Sequence, residues 1–171
     1  MPSGVLSREF YARPTVEVAR GLLGKVLEHD GRRGRILEVE AYLPHADLAA
    51  HAARGLTPRT RVLYGPPGHA YVFLVYGMHH CLNVVAEPEA TPGCVLIRAV
   101  EGAGDGPGKL TRAFGVDLRH NGCDLTRGPL KILDAPAPIG AIEVTPRIGI
   151  TASRDLPLRF VLLTENVRKC Q

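Results

Sequence analysis

The sequence predicts an α+β fold: a mainly antiparallel sheet with a few short helices and a protruding β-hairpin. Residues 69–87, HAYVFLVYGMHHCLNVVAE, hold two apolar runs rich in β-branched and aromatic side chains, interrupted at Tyr76-Gly77. That is the pattern of two strands joined by a tight turn. Further short apolar runs, at 25–29, 34–42, 94–100, 130–133, 142–145, 148–151 and 158–163, are separated by Gly, Pro or polar turn residues, as strands are. Windows with helical spacing are few and short, so helices attach to the sheet rather than form a layer of their own. At 171 residues and 45% hydrophobic content, the chain is expected to form one domain, 1–171, with a core of its own.

In chain order, Pro14-Thr15 opens a helix in which Val16, Ala19, Leu22 and Leu23 fall near helical spacing, closing at Gly24. Residues 25–29, the turn Asp30-Gly31-Arg32-Arg33 and residues 34–42 read as strand, turn, strand. Strict alternation along GRILEVEAY puts Ile36, Glu38 and Glu40 on one face and Leu37, Val39 and Ala41 on the other. Glu40 then either points to solvent or lies in a pocket at the strand's end, and its apolar neighbours permit both. After Asp47 as N-cap, the Ala- and His-rich segment 44–55 predicts a short helix carrying His51. Thr57-Pro58 reads as a second helix start, bearing Arg59 and Arg61, which either hold phosphates or are simply solvated.

At the tip of the 69–87 hairpin, Gly77 supplies the permissive backbone a tight turn needs. Tyr76 is unusual there, because turns ordinarily carry Asn, Asp or Ser. Its ring either folds back onto the core or stands exposed, as a wedge able to stack. Residues 94–100, CVLIRAV, embed Arg98 in an apolar strand, where a guanidinium needs a partner. A Gly-rich loop at 102–108 leads into a short helix, KLTRAF, ended by Gly115; GDGPGK lacks P-loop spacing and does not mark a nucleotide site.

A net charge of +4 and a pI near 9.0 are compatible with an anionic partner without requiring one. Cysteines at 81, 94, 123 and 170 show no C-x-x-C spacing and read as reduced structural thiols of a cytosol. Nothing resembles a signal peptide, and no run approaches the ~18 apolar residues of a membrane span.

The combination of LEVEAYLPHADLAAHA (37–52), TPRTRVLYGPPGHAYVFLVYGMHHCLNVV (57–85), CVLIRAVEG (94–102), GPGKLTRAFGV (106–116) and PRIGI (146–150) resembles the alkyladenine DNA glycosylase family, the mammalian-type 3-methyladenine DNA glycosylases. The motifs occur in the family's order, cover nearly the whole chain and are highly specific as a set. The resemblance implies a curved, partly open barrel-like antiparallel sheet, a hairpin that enters the minor groove of double-stranded DNA, and excision of alkylated or deaminated purines: 3-methyladenine, 7-methylguanine, hypoxanthine and ethenoadenine. It implies a monomer in the cytoplasm, at the bacterial nucleoid. Carried over by residue, it gives Glu40 the role of general base, with Arg98 and the main-chain carbonyl of Ile148 helping to hold the attacking water. Tyr42, His51 and Phe73 match pocket walls, Asn83 matches the side chain that excludes guanine's 2-amino group, and Tyr76 matches the wedge that fills the gap left by the flipped nucleotide. Phe73 departs from the Tyr of better-known members, so stacking is kept and a hydroxyl is lost.

The residue types suit that chemistry. A purine alkylated at N3 or N7 is cationic and leaves readily, so extrusion, stacking and delivery of water are the main tasks. The pocket offers no Schiff-base lysine, which points to a monofunctional hydrolase without lyase activity. No metal or cofactor is expected, since Glu40, His45, His51, His79 and His80 lack metal-ligand spacing. Arg59, Arg61, Lys109 and Arg112 are the candidate phosphate contacts. A non-catalytic nucleic-acid-binding module could use the same basic surface and aromatic finger; Glu40 tells against it, because a pure binder gains nothing from a carboxylate beside a polyanion.

Overall fold

The computed structural model describes residues 2–138 and 140–164. In chain order the elements are β1 (Gly4–Val5), α1 (Arg8–Tyr11), α2 (Thr15–Leu22), β2 (Val26–His29), β3 (Arg32–Tyr42), β4 (Ala70–Val75), β5 (His79–Ala86), β6 (Gly93–Val100), α3 (Pro107–Phe114), β7 (Lys131–Asp134), β8 (Ala141–Thr145) and β9 (Arg159–Leu163). Every pairing between these strands is antiparallel. The α+β class is as the sequence predicts, with the sheet curled into a half-barrel.

The long strand β3 is the spine. Along one edge it pairs first with β2 (His29↔Arg32 to Val26↔Arg35) and then with β9 (Glu38↔Val161 to Glu40↔Arg159), while β6 runs along the other edge. The rest follows in the order β1-β7-β2-β3-β6-β5-β4, with β8 on the far side of β9. One face of the sheet carries the main core, covered by Val18, Ala19 and Leu22 of α2 and Leu110 and Phe114 of α3. A smaller cluster, Ala52, Leu63, Tyr71, Val85 and Cys94, sits apart from it.

The sequence alternation fails at one position in β3. The pairing with β6 shifts by one residue between Ile36 and Glu38 and shifts back between Glu38 and Val39, and across this irregularity the faces exchange. Ile36 therefore joins Val39 and Ala41 in the main core, whereas Glu38 and Glu40 face the other way.

Other expectations change for local reasons. The helix predicted after Asp47 is a turn followed by a single 3₁₀ turn, His51–Arg54; the Asp47 carboxylate is shared among the Leu43 and Ala49 N–H groups and the Arg147 guanidinium. The one predicted from Thr57-Pro58 is likewise a 3₁₀ turn, Arg61–Tyr64, preceded by a knot in which the Thr57 and Thr60 side chains bond each other and the backbone. Residues 148–151 form no strand; they belong to an irregular loop leading to β9. The two-residue β1 and four-residue α1 are too short to show a period in sequence. Cys81, Cys94 and Cys123 carry free thiols, and Cys170 lies outside the described residues. Among the described residues no helix is long and apolar enough to cross a membrane.

Candidate active site

Glu40 is fully withdrawn from solvent, which settles the choice between pocket and surface that its sequence context leaves open. Both carboxyl oxygens are held: the Ile148 N–H donates to Oε2 at 2.8 Å and the Tyr42 hydroxyl donates to Oε1 at 3.1 Å. An Arg98 guanidinium nitrogen stands 3.6 Å from Oε1. Burial pushes the Glu40 carboxyl above its ordinary value, outweighing the Ile148 N–H, the Arg98 charge and the Tyr42 hydroxyl, which all favour the anion. The contact the structure gives Ile148 is thus through its amide.

Arg98 does have the partner its apolar strand demands, but chiefly a different one. Its Nε donates to Glu38 at 3.0 Å, and Glu38 also receives Nε of Arg159 at 2.6 Å. Neither Glu38 nor Arg159 is marked in the sequence as part of a site.

The loop carrying Ile148 is fastened by a buried ion pair. Arg147 donates to both carboxylate oxygens of Asp47, at 2.7 and 2.8 Å, with neither side chain exposed. It also donates to the carbonyls of Ala41 and Ser153 at 3.1 and 3.3 Å, and its guanidinium lies 4.7 Å from the Tyr42 ring centroid. For the Asp47 carboxyl, burial acts upward, but the Arg147 hydrogen bond and the N–H groups of Leu43 and Ala49 together bring it below the ordinary range. This pair ties the 44–55 segment to PRIGI, which explains why both motifs belong to one site.

Beside Tyr42 opens a cavity of about 140 Å³ lined by Tyr42, His51, Tyr71, Phe73, Asn83, Cys94 and Leu96, with Ala49 and Ile150 at its edge. Strand alternation points Tyr71 and Phe73 of β4 and Asn83 of β5 to this side, while Val72, Leu82 and Val84 enter the main core. The His51 ring lies 4.6 Å from Phe73, and its Nδ1 is 2.7 Å from the Tyr71 hydroxyl. Burial, and secondarily the charges of Arg59 and Arg54, lower the His51 pKa, so the imidazole is neutral at neutral pH. The Asn83 amide nitrogen donates to the Tyr71 carbonyl at 3.2 Å, and the Cys94 thiol lies 3.9 Å from its oxygen. Burial pushes that thiol up to about 12, leaving it protonated as a weak donor.

Tyr76 stands apart from the cavity, 90% exposed at the hairpin tip. Both Tyr76 and Gly77 have positive φ, at 52° and 64°, and the Met78 N–H closes the turn onto the Val75 carbonyl at 3.1 Å. Between hairpin and α3 lies a hollow of about 420 Å³ whose lining includes Tyr76, His79, Lys109 and Arg112. Lys109 is paired with Asp105 at 2.6 Å, while Arg59 lies 5.3 Å from the Phe73 ring centroid and Arg61 is exposed on its 3₁₀ turn. Another hollow, about 750 Å³, lies beside α1 and α2; the carboxylate among its described lining residues, Asp134, is already paired with Lys25. Among the described residues no three His, Cys, Asp or Glu side chains gather as metal ligands would.

The site therefore joins a buried carboxyl to an aromatic box through a shared tyrosine, with an aromatic finger standing outside. The chain matches the model of the methylpurine-DNA glycosylase family over residues 9–104 and 103–166. A protein of Myxococcus xanthus named "Putative 3-methyladenine DNA glycosylase" is 48% identical over 85% of this chain and 81% of its own length. A Methanoculleus marisnigri protein of the same name is 45% identical over 92% and 94%, and one from Anaeromyxobacter dehalogenans is 51% identical over 85% and 75%. The chain belongs to the methylpurine-DNA glycosylase family and is a hydrolase of N-glycosyl bonds in DNA.

Proposed function

We propose that the protein excises alkylated and deaminated purines from duplex DNA, 3-methyladenine, 7-methylguanine, hypoxanthine and ethenoadenine among them, and that it does so by water attack without cutting the strand. The observation that carries this reading is the Tyr42 hydroxyl: it donates to Glu40 at 3.1 Å while its ring walls the aromatic cavity, so a base stacked there has its glycosidic bond near the buried carboxylate. Tyr76 inserts where the nucleotide leaves the stack, and Arg59, Arg61, Lys109 and Arg112 contact phosphates. The flipped purine stacks among Tyr42, His51 and Phe73. Glu40 takes a proton from water as the water attacks the anomeric carbon, and Arg98 and the main chain at Ile148 orient both. A cationic purine departs without further help. The product is an abasic site left uncut, since among the described residues no lysine lines the cavity to form a Schiff base.

The test uses duplexes with a single lesion of each kind and an assay for alkali-labile sites. Alkali-dependent breaks at the lesion are expected, without breaks before alkali. Breaks that appear before alkali would refute the monofunctional reading, and intact DNA after alkali would refute excision of that lesion.

A further inference from the structure

Glu38 sits at the centre of the charge cluster beside Glu40. Strand alternation puts both carboxylates on one face of β3, and the flanking strands each offer one arginine, Arg98 from β6 and Arg159 from β9. Arg159 is the register partner of Glu40 itself. Its Nε nevertheless goes to Glu38 Oε1 at 2.6 Å and its Nη1 to the Thr145 hydroxyl at 2.9 Å. Arg98 also gives its Nε to Glu38 Oε1, at 3.0 Å, which leaves Nη1 3.6 Å from Glu40, outside hydrogen-bond distance. Both cations that could close on Glu40 are thus held by the neighbouring carboxylate, in a setting where Arg98, Glu38 and Arg159 side chains are only 15%, 16% and 19% exposed.

We propose that Glu38 is a positioning residue: it keeps Arg98 and Arg159 from closing on Glu40 and so preserves the basicity of that carboxylate. The inference rests on the reading of Glu40 as general base. A guanidinium that forks onto a carboxylate engages both oxygens, whereas a base must keep a lone pair for the proton it accepts. Among the described residues the other groups near Glu40 are the Tyr42 hydroxyl, the Ile148 N–H and the Cys81 thiol of β5, which burial pushes up to about 11, while the Arg147 charge beside Tyr42 is closed on Asp47. The hydroxyl, the amide and the thiol are uncharged at neutral pH, so the balance lies among two carboxylates and two guanidinium groups. The Glu38 charge itself also favours the protonated form of Glu40, in line with this arrangement.

Two substitutions should act in opposite directions. The readout is single-turnover excision of 7-methylguanine, a cationic lesion needing no acid, with enzyme saturating and pH varied. Glu38→Gln releases both arginines toward Glu40, so the acidic limb of the profile should move to lower pH by about one unit and the plateau should fall by about tenfold or less. Arg159→Gln removes one cation and leaves Glu38 to Arg98 alone, so the limb should move to higher pH. A cluster that only holds strands together would change the yield of folded enzyme, or the rate at all pH values, without moving the limb. Unmoved limbs, or limbs that move the same way in both variants, would overturn the proposal. If Glu38→Gln does not fold, Arg159→Gln decides alone: an upward shift supports the role and an unmoved limb refutes it. Glu40→Gln run in parallel separates the two readings. Parental excision by that variant removes the base itself, whereas an inactive Glu40→Gln beside unmoved limbs removes only the role of Glu38.

Discussion

Glu40 is kept where an ionised carboxylate is least comfortable, and its chemistry should show it. As a base it must be ionised, so excision of a cationic lesion should fall as pH drops, along a limb lying above the ordinary carboxylate range because burial outweighs the donors around it. Single-turnover rates across pH locate that limb; a limb at ordinary carboxylate values would contradict the balance of forces described. Glu40→Gln keeps the shape but cannot accept the proton, and excision is expected to fall by about 10²-fold or more. Equal losses of excision and DNA binding would instead give Glu40 a structural role. Asn83 makes a second case. Its amide is pinned on both sides, nitrogen to the Tyr71 carbonyl and oxygen toward the Cys94 thiol, so it presents a fixed edge to the cavity. Asn83→Ser shortens that edge and should narrow the preference for hypoxanthine over guanine. Unchanged discrimination would remove Asn83 from base selection.

The hairpin β4–β5 was legible because its periodicity, its interrupting Gly77 and its out-of-place Tyr76 are all local. The positive φ at Tyr76 shows that the turn is held against the preference of a bulky residue. Tyr76→Ala should impair flipping, because unstacking worth roughly a few kcal/mol is no longer offset by an inserted ring. Fluorescence of 2-aminopurine beside the lesion reads this directly, and equal signals from both proteins would show that the ring does not intercalate. The 146–153 loop was not legible as structure: PRIGI looks like a strand, and its order comes from Asp47, 100 positions away. Long-range ion pairs leave no local trace, and neither does the irregularity in β3 that reassigns Ile36. The segments around His51 and Arg61 failed as helices for a related reason, since side-chain bonds to Asp47 and Thr60 captured their backbones first. Asp47→Ala should leave Arg147 buried and unpaired, lowering stability by about 3–5 kcal/mol as read by denaturant unfolding. A loss under about 1 kcal/mol would mean that the pair does not fasten the loop.

At the scale of the molecule, exposed Arg59 stands beside the cavity wall at Phe73, and Lys109 and Arg112 line the hollow next to Tyr76. DNA affinity should therefore fall as salt rises, with a slope that drops by about one for each phosphate-contacting arginine or lysine removed. A flat salt profile would contradict the phosphate footprint. A carboxyl whose folded-state value is raised favours folding below its unfolded value and loses that contribution as pH rises through the folded one. Near neutral pH the ionised Glu40 thus opposes folding, and Glu40→Gln should melt higher than the parent, a gain that disappears in acid. An equal or lower Tm at pH 7 would show that the donors around Glu40 compensate its burial. The shared edge of β3 has a further outcome, in time. β3 is among the early strands to be synthesised, yet Glu40 waits for Ile148, 108 positions on, and Glu38 for Arg159, 121 positions on. Contacts that distant close late, after the local hairpins have formed. The β4–β5 hairpin with its tyrosine finger can therefore form on the ribosome before Ile148 and Arg159 arrive, so the growing chain carries its finger before the surroundings of its buried carboxylates are complete.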